Sequence, residues 1–179
     1  ISAFGQAIIN STRSAGDAAV AVARKAGAKV SYDTNLRLRL WDLDTARAKI
    51  NATVPLCDIL LPSLDDSQQL TGLQDADAIA DFYLGLGVPL VALKMGAEGS
   101  LIATKPERHR VPPCKVTAVD ATGAGDTFDG SFLTRLLAGD DPVGAARYAN
   151  VAAAISTTGY GAVTPIPRKE VVLAALRRL

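Results

Sequence analysis

A run of small residues followed by a carboxylate, Gly123-Ala124-Gly125-Asp126, is the stretch of this sequence best suited to chemistry. Apolar residues recur at helical spacing directly after it, which predicts that the run begins a helix. Backbone N–H groups with little side chain around them can approach an anion there, and the helix dipole adds positive potential. Asp126, in the first turn, would face the bound anion. This combination suits phosphoryl transfer, because the carboxylate accepts a hydroxyl proton while the N–H groups stabilise the transferring oxygens.

A purely structural interpretation of the run also stands at this point. The glycines can simply allow tight packing of a helix on a sheet, and Asp126 can be a favourable first-turn charge. In both interpretations a strand delivers the chain to the helix, and the apolar segment 115–119 predicts that strand.

The elements that must position this run alternate between strand and helix patterns. Strands are predicted at 28–33, 58–61, 89–94, 99–103 and 115–119, and helices at 17–26, 44–54, 63–70, 75–84, 125–137, 141–157 and 168–179. The third and fourth strands are expected to form a hairpin, because only a glycine-containing turn separates them. Such alternation predicts an α/β fold with a mostly parallel sheet covered by helices on both faces. Ligands of such sheets gather at the carboxyl ends of the strands.

Composition limits the classes of function. The 179 residues are 49% hydrophobic and 21% charged, which is typical of one ordinary globular domain. A net charge of +1 gives no electrostatic reason to expect nucleic acid as a partner. Cys57 and Cys114 lack metal-ligand spacing, and no apolar run is long enough to cross a membrane. We therefore expect a cytoplasmic protein without a nucleic acid or membrane partner.

Polar residues follow the first three predicted strands. Asp33, Asn35 and Arg37 could bind sugar hydroxyls, a phosphate or a carboxylate, although a capping loop with Arg37 in water explains them equally well. Ser63 and, three residues later, Asp66 have the spacing of a helix cap. The glycines that follow Lys94 are typical of a hairpin turn.

The string from Asp120 to Asp126 resembles the carboxyl-terminal signature of the ribokinase-like carbohydrate kinases. The resemblance implies a ribokinase-like, Rossmann-like fold in which Asp126 is the catalytic base and contacts the substrate. It also implies that Gly123, Ala124 and Gly125 form the anion hole, with Gly123 and Gly125 against the nucleotide. Asp120, with the backbone of Thr122, corresponds to the monovalent-cation site of some members, which implies K⁺ there.

Three further motifs occur in the family's order. Asp33-Thr34-Asn35-Leu36-Arg37 resembles a substrate loop of the fructokinase and 2-keto-3-deoxygluconate kinase branches, with Thr34 in place of the usual proline. This implies substrate contacts by Asp33, Asn35 and Arg37, the last to a sugar carboxylate. The turn from Ser63 to Asp66 replaces the more common Asn-x-x-Glu, which implies a cofactor contact for Ser63 and leaves Asp66 to act on Mg²⁺ through water. The third motif, from Lys94 to Gly99, resembles the family's nucleotide-binding turn, which implies nucleotide contacts by Lys94, Gly96 and Gly99. The resemblance implies a further nucleotide contact by Asn150, in the predicted helix 141–157.

The resemblance covers residues 1–179 as the carboxyl-terminal, ATP-binding and catalytic part of a carbohydrate kinase domain. The family's lid and first strands are expected to be absent from this chain, and the sheet edge so exposed would favour a homo-oligomer. The implied activity is ATP- and Mg²⁺-dependent phosphorylation of a sugar or sugar acid, with 2-keto-3-deoxygluconate as the leading substrate. Fructose and ribose are the alternatives. A nucleotide-binding module without turnover is the competing hypothesis from another class.

Overall fold

Helices alternate with short strands in the computed structural model, which describes residues 1–8 and 10–179. The helices are α1 (Ala3–Ile8), α2 (Asn10–Lys25), α3 (Leu43–Thr53), α4 (Leu64–Thr71), α5 (Ala76–Gly85), α6 (Ala124–Leu137), α7 (Pro142–Ser156) and α8 (Lys169–Leu176). The strands are β1 (Ser31–Tyr32), β2 (Ile59–Leu60), β3 (Leu90–Lys94), β4 (Ser100–Ala103) and β5 (Arg108–Val111). Short 3-10 turns lie at Val54–Leu56 and Gly96–Glu98.

The sheet confirms the predicted α/β class. Its strand order is β1-β2-β3-β4-β5. β1 pairs with β2 in parallel, with Tyr32 opposite Leu60, and β2 pairs with β3 in parallel, with Leu60 opposite Val91. Parallel pairing requires a crossover between strands, and the helices supply it. The carboxyl ends of these strands therefore lead into the loops that carry the candidate residues.

Side-chain caps explain why α3, α4, α5 and α7 begin where they do. Asp42 accepts a hydrogen bond from Thr45 N at 2.8 Å, Ser63 from Asp66 N at 3.3 Å and Asp75 from Ala78 N at 2.9 Å. Asp141 accepts bonds from the N–H groups of Val143 and Gly144 and precedes Pro142 at the first helical position. These bonds satisfy N–H groups that have no partner inside the helix.

The chain forms two compact units, Ile1–Leu93 with Ala103–Arg108, and Lys94–Ile102 with His109–Leu179. In the first unit the parallel strands bury Tyr32, Leu60 and Val91. In the second, α6 packs on α7 and α7 packs on α8. Phe128 and Phe132 stack along α6 with ring centroids 5.8 Å apart, and Val151, Ala152 and Val172 form a buried cluster.

The predicted strand at 115–119 is wrong. These residues are exposed and pair with no strand in the described part of the chain, whereas β5 lies earlier and ends at Val111. The N–H groups of Val119 and Asp120 donate instead to the carbonyl of Thr157, at 2.7 and 3.0 Å. The end of α7 thus takes the backbone bonds that a strand neighbour would have satisfied.

Candidate functional site

The run that begins α6 contains two glycines with different structural reasons. Gly123 is the N-cap, with φ of +76°. A Cβ atom there would lie 3.0 Å from the Ala162 carbonyl oxygen and 3.1 Å from the Ala162 Cα. Both the left-handed backbone and this close approach require glycine, so the fold alone explains Gly123.

Gly125 has no comparable structural requirement. Its backbone lies in ordinary helical conformation, in the first turn of α6. Apart from its chain neighbours and the backbone of its own helix, the only described atom within 4 Å of a Cβ built there is Lys94 Nζ, at 3.7 Å. This is ordinary contact distance, so an alanine would fit. The missing side chain leaves the first turn bare on the side of Lys94.

A cavity of about 560 Å³ lies against this bare turn, within the second unit. It brings together five residues that the sequence predicts at a nucleotide site: Lys94, Gly96, Gly99, Gly125 and Asn150. Most of the remaining wall is apolar, and it includes Ala97, Val116, Ala118, Phe128 and Ala153. A pocket of this size, with an apolar wall and a few polar groups, is typical of small-molecule sites.

Two residues of the cavity wall, Gly99 and Asn150, contact the backbone at the end of β5. Gly99, with φ of +90°, comes so close to Val111 and Pro113 that any side chain would overlap their backbone atoms. Asn150 is buried on α7, and its Nδ2 donates to the carbonyls of Val111 and Pro112 at 3.1 and 3.0 Å. The end of β5 is therefore held from both sides.

Asp129 is the residue that the sequence interpretation missed. In the structure both oxygens of the Asp129 carboxylate accept hydrogen bonds from Lys94 Nζ, at 2.8 and 3.0 Å. The sequence did contain a signal for this contact, because Asp129 lies between Phe128 and Phe132 on an apolar helix face. A carboxylate buried on such a face needs a charged partner.

The two other acidic residues of this region differ in their surroundings. Asp126 is exposed in the first turn of α6. Asp120 accepts hydrogen bonds from the N–H and hydroxyl of Thr122 at 2.9 and 2.6 Å, and from Gly161 N at 2.8 Å. These bonds, with that from the Thr122 hydroxyl the strongest, hold the pKa of Asp120 below its usual range. The carboxylate stays charged and ties the 157–162 segment to the start of α6.

The first unit holds the predicted substrate loop after β1. Asp33 Oδ1 accepts a hydrogen bond from Asn35 N at 3.3 Å, and Asn35 has a positive φ of 22°, which few non-glycine residues adopt. Asp66 Oδ2 accepts from Leu36 N at 2.9 Å. Arg37 is exposed. The carboxylates of Asp33 and Asp66 therefore fix the loop, and the side chain of Arg37 reaches solvent.

Ser63 and Asp66 are positioned by the start of α4, where Ser63 is the N-cap. Burial raises the pKa of Asp66, while its bond from Leu36 N opposes that shift. Within 1–8 and 10–179, no group of three or more His, Cys, Asp or Glu side chains is arranged to hold a metal. In the same ranges no helix has both the length and the apolar character that spanning a membrane requires.

Residues 3–169 match the family model described as pfkB family carbohydrate kinase. This chain belongs to the pfkB family. The match confirms the resemblance drawn from the sequence, and it extends over both units of the structure.

Three relatives illustrate what this pfkB family chain is similar to. It is 35% identical to a probable fructokinase-4 of Arabidopsis thaliana over 95% of this chain and 55% of that protein. It is 33% identical to the 2-dehydro-3-deoxygluconokinase of Bacillus subtilis, over 82% of this chain and 46% of that one. The fructokinase structure from Vibrio cholerae O395 with fructose, ADP and calcium bound superposes with a TM-score of 0.92 at 32% identity, covering 98% and 59% of the two chains. The chain thus spans about half the length of its relatives, and the ribokinase-like fold is confirmed.

Proposed function

We propose that this pfkB family chain carries the nucleotide-binding and catalytic part of a kinase that phosphorylates a hydroxyl group of a sugar or sugar acid. The observation that carries the proposal is the bare first turn of α6 at Gly125, which the fold does not require. A backbone left open at a helix N-terminus, beside a lysine and a cavity, suits phosphate groups. The kinase names of the relatives point the same way.

In the proposed reaction Asp126 accepts the proton of the acceptor hydroxyl. The hydroxyl oxygen forms a bond to the γ-phosphorus of ATP as the bond from that phosphorus to the leaving oxygen of ADP breaks. The N–H groups of residues 123–126 stabilise the charge on the transferring oxygens. Asp126 suits this role because it is exposed in the first turn of α6, beside the backbone N–H groups that would bind the phosphate.

The cavity in the second unit is the proposed place for the nucleotide. Lys94 and the backbone of Gly96, Gly99 and Gly125 would bind phosphates and ribose, and Asn150 would line the wall beside the base. Ser63 is a further proposed cofactor contact, although its hydroxyl already accepts the cap bond from Asp66 N.

The proposed cation sites use two acidic residues, Asp66 and Asp120. Mg²⁺ would supply positive charge to the transferring phosphate oxygens, and it normally binds through phosphates and water with few protein ligands. Asp66 is partly buried and its Oδ2 already accepts the bond from Leu36 N, which fits contact with Mg²⁺ through water. The lowered pKa of Asp120 keeps that carboxylate charged, which fits K⁺ beside the Thr122 backbone.

We further propose 2-keto-3-deoxygluconate as the substrate, with fructose as the second candidate. The exposed guanidinium of Arg37, on a loop held by Asp33 and Asp66, suits a sugar carboxylate. Fructose is supported by the Arabidopsis and Vibrio relatives, whose names give fructokinase.

The deciding experiment measures ADP release from ATP and Mg²⁺ with 2-keto-3-deoxygluconate, fructose, ribose or adenosine as acceptor. We expect turnover with a sugar or sugar acid that Asp126→Asn lowers at least about a hundredfold, because a positioned base contributes that much. Arg37→Gln should raise the KM for 2-keto-3-deoxygluconate and leave that for fructose unchanged. ATP binding without ADP release for any acceptor would contradict catalysis and favour a nucleotide-binding module.

A further inference from the structure

Lys94 and Asp129 form an ion pair that is largely buried. The two side chains are 13% and 12% exposed, and Lys94 Nζ lies 2.8 and 3.0 Å from the two carboxylate oxygens. Taking two charges out of water is costly, and well-packed apolar residues of similar volume often stabilise a fold as well or better. Stability therefore gives a poor reason for charges at these two positions.

The place of the ammonium group adds a second cost. Lys94 Nζ lies 3.7 Å from the position of a Cβ on Gly125, and hence beside the first turn of α6. A helix N-terminus carries partial positive charge, which disfavours a cation there. Asp129, one and a half turns into the same helix, offsets this repulsion. The Lys94 ammonium and the first turn of α6 therefore lie side by side in the wall of the cavity.

We propose that Asp129 is a positioning residue, which holds the Lys94 ammonium against the first turn of α6 so that it binds phosphate groups of the nucleotide. Lysine is a compact charge on a flexible stem, and its rotamer freedom weakens any site that must order it on binding. The carboxylate of Asp129 removes that freedom before the ligand arrives. The inference rests on the proposed function, since it assigns a role within the same cavity.

Nucleotide binding tests this role separately from turnover. Calorimetric titration with ATP and Mg²⁺, and with adenosine, compares wild type with Lys94→Met, Asp129→Asn and the double variant Lys94→Met/Asp129→Leu. Each single change should weaken ATP binding about tenfold or more, the effect of losing a charge-assisted hydrogen bond, and leave adenosine binding unchanged. The double variant should regain thermal stability relative to the single changes but not regain ATP affinity.

The double variant separates a positioning role from a structural one. Recovery of ATP affinity together with stability would overturn the inference, and so would equal losses for ATP and adenosine. Arg135→Met is the matched control, because Arg135 pairs with Asp140 at 2.6 Å at the other end of α6 and does not line the cavity. It should lower stability without changing ATP affinity. A wild-type chain that binds neither ligand would refute the proposed function as well, whereas failure of the inference alone leaves wild-type ATP binding intact.

Discussion

At the scale of single residues, the two glycines of the α6 run differ, because the fold requires Gly123 but does not require Gly125. Gly123 combines a left-handed φ with close contact to Ala162. Gly125 has neither feature, and among the described residues outside its own helix only Lys94 Nζ lies within 4 Å of a Cβ built there. A glycine in a helix costs stability relative to alanine. A compensating advantage is therefore expected at Gly125, and the adjoining cavity suggests ligand binding.

Gly125→Ala should separate folding from function. We expect the free energy of unfolding to stay constant or rise by up to about 1 kcal/mol, because alanine is the better helix former. The added methyl group would cover backbone N–H groups that we propose bind phosphate, so ATP affinity and turnover should fall at least about tenfold. Thermal unfolding and the ADP-release assay measure the two effects.

The matched control for this change is Gly130→Ala in the same helix. No atom of the described residues outside its own helix lies within 4 Å of a Cβ built on Gly130, and Gly130 does not line the cavity. It should give the same gain in stability with full activity. Full activity in Gly125→Ala as well would show that the bare turn has no role in binding.

At the scale of elements, the approach of β4 to the end of β5 depends on Gly99. Its φ of +90° is unfavourable for any L side chain, and a Cβ would overlap the Val111 carbonyl oxygen and the Pro113 nitrogen. We expect Gly99→Ala to lower the free energy of unfolding by about 2 kcal/mol or more, because backbone atoms must move.

Gly85→Ala provides the comparison for that loss. Gly85 ends α5 without positive φ, and beyond its own helix and chain neighbours no atom of residues 1–8 and 10–179 lies within 4 Å of a Cβ built there. Denaturant unfolding of both variants should show a loss only for Gly99→Ala. Equal stability of the two would mean that the turn before β4 can shift, and that Gly99 is kept for ligand binding alone.

Helices α3, α4, α5 and α7 were predictable from the sequence because their ends carry local chemical signals, whereas α1 was not predicted and α2 begins at Asn10 and not at the predicted residue 17. Ser63, Asp75 and Asp141 cap helices within a residue of the predicted starts, and Gly27 follows the end of α2 with φ of +70°. The prediction of a strand at 115–119 failed because no such end signal was available there. Alternation of apolar residues indicates a strand only where a neighbour accepts its backbone bonds, and here Thr157 takes that part.

The candidate site followed the same division. Motif residues of the second unit were predicted individually, and the structure places Lys94, Gly96, Gly99, Gly125 and Asn150 around one cavity. The partner of Lys94 could not be predicted, because Asp129 is 35 residues away and only the packing of α6 brings the two charges together. Pairing over such a distance depends on tertiary structure, which local patterns do not contain.

At the scale of the whole molecule, a net charge of +1 conceals carboxylates whose contributions to folding have opposite sign. Hydrogen bonds from Val30 N and then Lys29 hold the pKa of Asp58 below its usual range. Burial raises the pKa of Asp66. A group whose pKa is lowered in the folded chain stabilises the fold at pH values above its unfolded pKa, and this stabilisation is lost as the pH falls through the folded pKa. A raised pKa means that the folded chain binds the proton more tightly, so its contribution is lost as the pH rises.

Comparison of wild type with Asp66→Asn across pH tests this linkage. The variant keeps an oxygen that can accept the bond from Leu36 N but cannot ionise. As the pH rises from the unfolded value near 3.8 through the raised folded pKa, the wild type should lose stability relative to Asp66→Asn. Asp58→Asn should behave oppositely, since the wild type's advantage over it should shrink as the pH falls below 3.8. Denaturant unfolding at successive pH values measures both differences. An advantage of wild type over Asp66→Asn that grows with pH would mean that hydrogen bonds and nearby charges stabilise the Asp66 carboxylate more than burial destabilises it, which would contradict the raised pKa.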